Sequence, residues 1–287
     1  MILTKPYIIE MDEIDRESIL RKIESAARNC YQSKMSGDLE GASKFVAGLV
    51  RSGHMAPVEL GGMINVTIKT SRSVLAELTR HRMASYCVTS QRFIDSSKSK
   101  FGLEFVIPYQ ISASEPEITD GYYEIGMVPI KGPAGQMGIG LQIATASLKD
   151  GKLGITRQVR CKEATGFFLQ SLAASEQSYI GLIQMGYKPQ DAREVLPNAT
   201  ACTITMGANL REWKHIFNLR VFGTTGKPYP PCKEIMSQVY EKFHAALPEI
   251  FPDEIEIPAD KLDKKLEEKK TESDKKSILL GADGRGL

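Results

Sequence analysis

The stretch RHRMASYCVTSQRF, residues 80–93, carries the densest chemistry of the 287-residue chain. Arg80, Arg82 and Arg92 lie close together in it, and Ser90 stands two residues before the last of them. Crowded guanidinium groups repel one another unless anions lie between them, and arginine is the side chain that binds phosphate or a planar imide through two parallel hydrogen bonds. The stretch therefore predicts a site for an anionic ligand. The alternative is a solvated basic helix end, in which the cations complement the helix dipole.

The segments on both sides of this stretch predict an α+β fold. Residues 63–69 (MINVTIK) alternate, with Ile64, Val66 and Ile68 on one face, which indicates a half-buried strand. Further strands are predicted at 101–108 and 199–208, and helices at 12–29, 41–52, 71–80, 162–185, 210–220 and 232–247. Single strands alternate with helices without regular βαβ units, so we expect a mixed sheet with packed helices.

Apolar residues at helical spacing within two of these helices are expected to lie in the core. They are Phe167, Phe168, Leu172 and Ile180 in the first helix, and Trp213, Ile216, Phe217 and Leu219 in the second. Gly53 and Gly186 each follow a predicted helix and are expected at its carboxyl end.

Composition excludes several classes of protein. Apolar residues make up 42% and charged residues 25%, which is typical of a soluble globular protein, and no run of 18 apolar residues predicts a membrane span. A formal charge of +2 argues against a nucleic-acid coat. Five cysteines without a CxxC pair and four histidines without HExxH predict reduced thiols and no metal site. We expect a cytoplasmic protein without nucleic-acid or membrane partners.

The RHR motif followed by seven residues and a serine resembles the signature of the flavin-dependent thymidylate synthases. Four other segments resemble that family in the same order: ARNCYQS (27–33), SGHMAPVE (52–59), DAREVLP (191–197) and NLREWKHIFNLR (209–220). The resemblance covers roughly 27–108 and 163–250. It implies a single catalytic domain over 1–258 in which 109–160 is an insertion, followed by a charged, disordered tail over 259–287. The glycines of KGPAGQMGIG within the insertion, at 132, 135, 138 and 140, do not form GxGxxG and are interpreted as a loop.

The resemblance also implies an activity, its cofactors and an assembly. The expected reaction is C5 methylation of dUMP to dTMP, with the carbon from 5,10-methylenetetrahydrofolate, FAD as hydride carrier and NADPH as reductant. The expected assembly is a homotetramer with each site between subunits.

Matched positions imply roles for individual residues. The FAD-binding positions are Ala56, Arg80, His81, Arg82, Asn209, Arg211 and His215. The nucleotide-binding positions are Glu77, Arg80, Ser90, Gln91, Arg92, Arg193 and Arg220. Arg220 is also expected to be catalytic, since a guanidinium can stabilise the anion that forms when uracil N3–H ionises. His54 is the second catalytic candidate, and a turn histidine after Gly53 is an equal interpretation.

Some positions depart from the family pattern. Glu77 replaces a glutamine, Cys87 and Val88 replace Asn-Glu or Ser-Gln, and Ala56 replaces Thr or Ser. On a helix that continues to Arg80, the Glu77 carboxylate would share its face and could accept a hydrogen bond from a ribose hydroxyl or a cytosine amine.

These departures leave alternatives open. The first is the same scaffold methylating or hydroxymethylating another pyrimidine nucleotide, UMP or dCMP. The second is a non-catalytic flavin- or nucleotide-binding relative, and the third is an RNA-binding basic module. Cys87 is interpreted as a packing residue rather than a nucleophile, and Pro231-Cys232 as a helix start.

Overall fold

The computed structural model describes residues 1–99, 102–116, 118–131, 137–146, 148–149, 152–153, 157–159 and 163–252. Its strands are β1 (Ile2–Thr4), β2 (Tyr7–Met11), β3 (Met63–Ser71), β4 (Ser85–Val88), β5 (Glu104–Val106), β6 (Gly121–Lys131), β7 (Met137–Ala146), β8 (Leu148–Lys149), β9 (Lys152–Leu153), β10 (Arg157–Val159) and β11 (Ala201–Asn209). Its helices are α1 (Arg16–Tyr31), α2 (Leu39–Arg51), α3 (Ala56–Glu59), α4 (Arg72–Leu78), α5 (Tyr109–Ser114), α6 (Glu163–Gln184), α7 (Pro189–Ala192), α8 (Leu210–Arg220) and α9 (Pro230–Ala246). The predicted α+β class is confirmed.

The four-stranded antiparallel sheet, in the order β2-β3-β11-β4, is the frame on which the arginine-rich stretch is built. Its centre is the long β3–β11 pair, which is in register from Ser71 opposite Ala201 to Met63 opposite Asn209. Every second side chain of β3 is buried, as the alternation predicted. One core lies between this sheet and the helices α1, α2, α8 and α9.

Aromatic side chains fill the centre of that core and hold α8 in place. The rings of Trp213 and Phe217 stack at 5.5 Å, and Phe243 of α9 lies within 5.3 Å of both. The indole Nε1–H of Trp213 donates to the carbonyl of Ile64 on β3 at 3.0 Å, which satisfies its buried donor. The helix that ends at Arg220 is therefore tied to the sheet by both packing and a hydrogen bond.

The second large sheet is mixed and has the order β10-β7-β6-β1-β5. β1 runs parallel to β5, and β6 and β7 form a long antiparallel hairpin with ten paired positions. A second core packs α6 against this sheet. Lys69 on β3 and Glu104 on β5 form an ion pair at 2.6 Å, and this pair joins the two sheets.

The interpretation of the glycine-rich segment as a loop is wrong where the structure describes it. Gly138 and Gly140 lie on β7, opposite Ile130 and Val128 of β6, whereas Gly132 and Gly135 lie outside the described residues. Glycine and proline weaken the strand signal of the sequence, but the hairpin overrides it because each position gains a partner across the ladder.

Two core predictions are also corrected. Phe167 on α6 is 64% exposed, although Leu172 is buried and Phe168 and Ile180 pack against the second core. Leu219 on α8 is half-buried, whereas Trp213, Ile216 and Phe217 are buried as predicted. In both helices the apolar residues at helical spacing span a wider face than the one that neighbouring elements bury.

The segment after α9 folds back onto the first core. Phe251 is buried and its ring contacts those of Phe217 and Phe243. The main chain is held as well, because Lys214 Nζ donates to the carbonyl of Ile250 at 2.9 Å and the Arg16 guanidinium pairs with the Glu249 carboxylate. The last described residues are thus part of the core rather than a trailing end.

Within the described ranges no helix combines the length and apolarity needed to cross a membrane. The same ranges hold no cluster of three or more His, Cys, Asp or Glu side chains suited to a metal ion. The four cysteines that they include are free thiols, as predicted.

Candidate functional site

The RHR motif lies in a turn between α4 and β4. Ser71 caps α4 by accepting from the N–H of Val74 at 3.3 Å. The helix ends at Leu78, so the expectation that it continues to Arg80 is wrong. The Tyr86 hydroxyl is bound to the carbonyls of both Leu78 (2.6 Å) and His81 (2.9 Å), and this bridge fixes the turn. Residue spacing gave no signal for Tyr86.

The Arg220 side chain, at the end of α8, is hydrogen-bonded to Glu77 and His81. With the nearby Glu212, these residues are called the Arg220 network. Nη1 of Arg220 donates to Glu77 Oε2 at 2.5 Å, Nη2 to the Glu77 carbonyl at 2.8 Å, and Nε to His81 Nε2 at 3.0 Å. The Arg220 side chain is only 17% exposed. Three bonds in three directions hold its guanidinium plane in one orientation.

His81 serves as an acceptor in this network, which requires a neutral ring with its proton on Nδ1. Burial, assisted by the positive charge of Arg220, lowers the pKa of His81 to about 4. Glu212 Oε1 lies 3.7 Å from Nδ1, which is too long for a hydrogen bond, and burial raises the pKa of Glu212. His215 completes the surroundings, with its ring centroid 5.9 Å from that of His81.

Arg80 and Arg82 differ sharply from Arg220. Both side chains are exposed, and neither has a hydrogen bond or ion pair with any residue that the structure describes. A guanidinium without an internal partner stays hydrated and keeps its full charge for a ligand. Arg80, Arg82, Arg92 and Arg193 are called the surface arginines below.

The loop after β4 brings the other two surface arginines together. Arg92 Nε donates to the side-chain oxygen of Gln190 on α7 at 3.2 Å, and Arg193 Nε donates to the Gln190 carbonyl at 3.2 Å. Ser90 Oγ accepts from the N–H of Arg92, also at 3.2 Å. Both guanidinium groups keep N–H donors beyond these bonds, so the sequence-predicted phosphate residues form one cluster around Gln190. Gln190 was missed because it precedes the matched DAREVLP run.

A third group lies where α3 meets α8. Arg211 Nη1 pairs with Glu59 Oε1 at 2.6 Å, and both side chains are about half exposed. Asn209 caps α8 through its Oδ1, which accepts from the Glu212 N–H at 2.8 Å. His54 and Ala56 are exposed, on the turn before α3 and at its first residue. Gly53 has φ +78° at the carboxyl end of α2, where it was predicted.

The structure therefore gathers the predicted site residues, apart from Arg80 and Arg82, into three groups. They are the Arg220 network with His215, the loop group of Ser90, Gln91, Arg92 and Arg193, and the α3–α8 group of His54, Ala56, Asn209 and Arg211. No hydrogen bond or ion pair between described residues joins the loop group to the Arg220 network. The turn from Arg80 to Arg82 and strand β4 are what connect the two along the chain.

The structure contradicts the prediction for Cys87 and confirms the one for Cys232. Cys87 on β4 is exposed, so its interpretation as a packing residue is wrong. Cys232 is buried near the start of α9, as the helix-start interpretation requires, and burial raises its thiol pKa to about 12. A thiol in that state is not a nucleophile at neutral pH.

The donor set suits a bulky anionic ligand. Arg80 and Arg82 supply cations without a partner among the described residues. Arg193 and Arg211 have only exposed ion pairs, with Glu194 and Glu59, and such pairs cost little to exchange for a phosphate. A flavin dinucleotide and a nucleotide monophosphate both offer phosphates for such cations. The Arg220 network instead offers one rigid guanidinium, which fits the edge of a planar ring.

Known proteins resemble this chain in sequence and in fold. A curated flavin-dependent thymidylate synthase of Haloarcula marismortui is 28% identical over 221 residues, 72% of this chain and 78% of the relative. The protein of the same name from Corynebacterium glutamicum is 26% identical over 265 residues, 90% of this chain and 88% of the relative. The solved structure of a UMP/dUMP methylase, PolB from Streptomyces cacaoi bound with 5-Br dUMP, has a TM-score of 0.58 at 16% identity and covers 88% of this chain and 95% of its own. That structural likeness shows the fold.

The decisive match is to a family model described as thymidylate synthase complementing protein, which spans residues 14–249. The span includes the RHR turn, the Gln190 cluster and the whole of α8, so each of the three groups lies inside it. The chain therefore belongs to the thymidylate synthase complementing protein family.

Proposed function

We propose that the protein is a flavin-dependent methyltransferase that acts on C5 of a pyrimidine nucleotide, with dUMP as the substrate and dTMP as the product. In this proposal 5,10-methylenetetrahydrofolate would supply the one-carbon unit in place of the C5 proton. FAD that NADPH has reduced would supply the hydride that completes the methyl group. The observation that carries the proposal is the pairing of a rigid guanidinium at Arg220 with unpaired cations in the RHR turn.

The residues divide the work in this proposal. Arg92 and Arg193, held on either side of Gln190, bind the nucleotide phosphate. Arg220 faces a carbonyl of the pyrimidine ring, where a fixed cation stabilises the negative charge that develops as C5 becomes nucleophilic. His81 acts by orienting Arg220 rather than by exchanging protons, since its ring stays neutral.

The cofactor residues are proposed on the same basis. Arg80 and Arg82 offer unpaired cations to the FAD phosphates, and Arg211 exchanges Glu59 for the same ligand. Family relatives also imply a homotetramer in which neighbouring subunits complete each site, and a cytoplasmic location. Residues 1–258 form one catalytic domain in this proposal, with 109–160 as an insertion.

The experiment is to reduce the flavin-loaded protein and follow flavin oxidation with methylenetetrahydrofolate and one of dUMP, UMP or dCMP. We expect oxidation with dUMP and a methylated product by mass spectrometry. Oxidation with UMP or dCMP alone would move the proposal to that nucleotide. A protein that binds no flavin after purification or reconstitution would overturn it.

The cofactor assignment has its own test. Arg211→Ala should lower the flavin absorbance per protein after gel filtration, with affinity about 10-fold weaker, because a bond to a charged phosphate contributes about 1.5–3 kcal/mol. Lys44→Ala removes an exposed cation of α2 and serves as the control. Equal flavin content in both variants would remove Arg211 from the cofactor site.

A further inference from the structure

Arg72, the first residue of α4, joins that helix to the loop that follows β4. Its main-chain N–H donates to the carbonyl of Thr200 at 3.1 Å, and its Nη2 donates to the carbonyl of Thr89 at 2.9 Å. Its Nε is buried and has no hydrogen-bond partner among the described residues. The one bond that the guanidinium makes within the described part of the chain thus ends on the residue that precedes Ser90 of the loop group.

The bond from Arg72 is not needed to keep the end of β4 on the sheet. The N–H and the hydroxyl of Thr89 both donate to the carbonyl of Thr203, at 2.9 Å and 3.3 Å, and these bonds already hold the strand. No carboxylate that the structure describes forms an ion pair with Arg72. A half-buried guanidinium without a counter-ion lowers stability, which is expected where its charge serves a ligand.

The carbonyl of Thr89 and the N–H of Ser90 belong to one planar peptide group, in which they point in opposite directions. A bond that fixes the carbonyl therefore fixes the direction of the Ser90 N–H, which has no acceptor among the described residues. The Ser90 hydroxyl accepts from the N–H of Arg92, so the same turn carries a surface arginine. The loop thus presents an oriented N–H next to a cation.

Resting on the proposed function, we propose that Arg72 is a positioning residue for the nucleotide phosphate. It holds the peptide group between Thr89 and Ser90 so that the Ser90 N–H donates to a phosphate oxygen. Its own charge, which no described carboxylate balances, adds to that of Arg92. Oriented main-chain N–H groups with nearby guanidinium groups suit an anion that carries several acceptor oxygens. The chemical class of ligand is a phosphate monoester dianion, such as the 5′-phosphate of a nucleotide.

The experiment compares calorimetric binding of dUMP and deoxyuridine to wild type and to Arg72→Gln, whose side chain is uncharged and shorter. We expect dUMP affinity to fall about 10-fold and deoxyuridine affinity to stay unchanged, because only dUMP carries the phosphate. Thr89 is exposed, so water can replace the lost bond and the fold should persist. The matched control is Arg21→Gln, since the half-buried Arg21 on α1 also donates to a main-chain carbonyl, that of Ser36, at 3.1 Å. It should bind both ligands as wild type does.

Arg72→Lys is the second variant. It keeps the charge and one donor for the Thr89 carbonyl but lacks the planar fork, so dUMP affinity should fall only about 3-fold. Wild-type dUMP affinity in Arg72→Gln, or an equal loss for dUMP and deoxyuridine, overturns the inference. If Arg72→Gln fails to fold, wild-type dUMP affinity in Arg72→Lys overturns it. A wild type that binds no pyrimidine nucleotide overturns the proposed function instead, so the two failures are distinct.

Discussion

Arginine is used in two opposite ways in this molecule. Arg220 is mostly buried, paired with Glu77 and held by a neutral histidine, whereas Arg80 and Arg82 are exposed and have no partner among the described residues. The contacts of Arg220 fix the orientation of its guanidinium, but Glu77 balances its charge. Arg80 and Arg82 keep their net charge, but no contact with a described residue fixes their orientation. A planar ring needs an oriented donor and a phosphate needs nearby positive charge, so the difference separates ring recognition from phosphate binding.

The sharpest way to break this comparison is Arg220→Lys. Lysine keeps the charge but cannot form the planar set of bonds to Glu77 and His81, so we expect turnover to fall on the order of 10²-fold or more while nucleotide still binds. The measurement is kcat and KM from flavin oxidation. Arg21→Lys, in a partly exposed helix pair, should stay near wild type. A tenfold rise in KM with unchanged kcat would mean that Arg220 contributes to substrate binding and not to the reaction step.

The neutral state of His81 can be tested through stability. Its pKa is lowered in the folded protein, so the unfolded chain binds the extra proton, and stability is lost as pH falls from the ordinary histidine range toward about 4. We expect the unfolding free energy in urea to drop by about 2 kcal/mol more for wild type than for His81→Gln between pH 7 and 4.5.

His54→Gln is the matched control for that measurement, since His54 is exposed. It should keep the wild-type slope. Parallel curves for wild type and His81→Gln would show that His81 takes up a proton in the folded protein as readily as in the unfolded chain, and Arg220 would then lose its acceptor at acidic pH.

The phosphate half of the comparison is tested by Arg193→Gln. Removing one of the cations around Gln190 should weaken dUMP binding about 10-fold and leave deoxyuridine binding unchanged, because only the nucleotide carries the phosphate. Titration calorimetry with both ligands gives the ratio. Lys44→Gln removes an exposed charge elsewhere and should alter neither. Equal losses for nucleotide and nucleoside would place Arg193 away from the phosphate.

The smallest expected effect concerns the support of the turn. Tyr86→Phe removes the hydroxyl that is bound to the carbonyls of Leu78 and His81, and should lower the unfolding free energy by about 1 kcal/mol. Thermal unfolding measures the loss, with Tyr31→Phe, 78% exposed, as the control. A stability equal to that of wild type would mean that the turn is held by other contacts.

Local patterns in the sequence were enough to predict the strand and the helix that carry the site. Alternation located β3, and helical spacing located α8 with its buried Trp213 and Phe217. Each of these signals arises from residues that are neighbours along the chain.

What the sequence could not show were contacts between distant segments. Glu77 and Arg220 are 143 residues apart, and Arg92 and Gln190 are 98 apart. No local period encodes such pairs, because they form only after the sheet and helices have packed. The β6–β7 hairpin was missed for a related reason: its glycines and proline oppose a strand locally, and the cross-strand ladder outweighs them.

The folded-back segment from Glu249 to Phe251 sets a boundary for protein engineering. Phe251 lies against Phe217, about one turn before Arg220 on the same helix, so shortening the chain at Leu247 would remove a buried ring that packs against α8. Shortening it after Pro252 would spare every contact between described residues that the segment makes with α1, α8 and α9. An affinity tag or fluorescent fusion therefore belongs beyond residue 252.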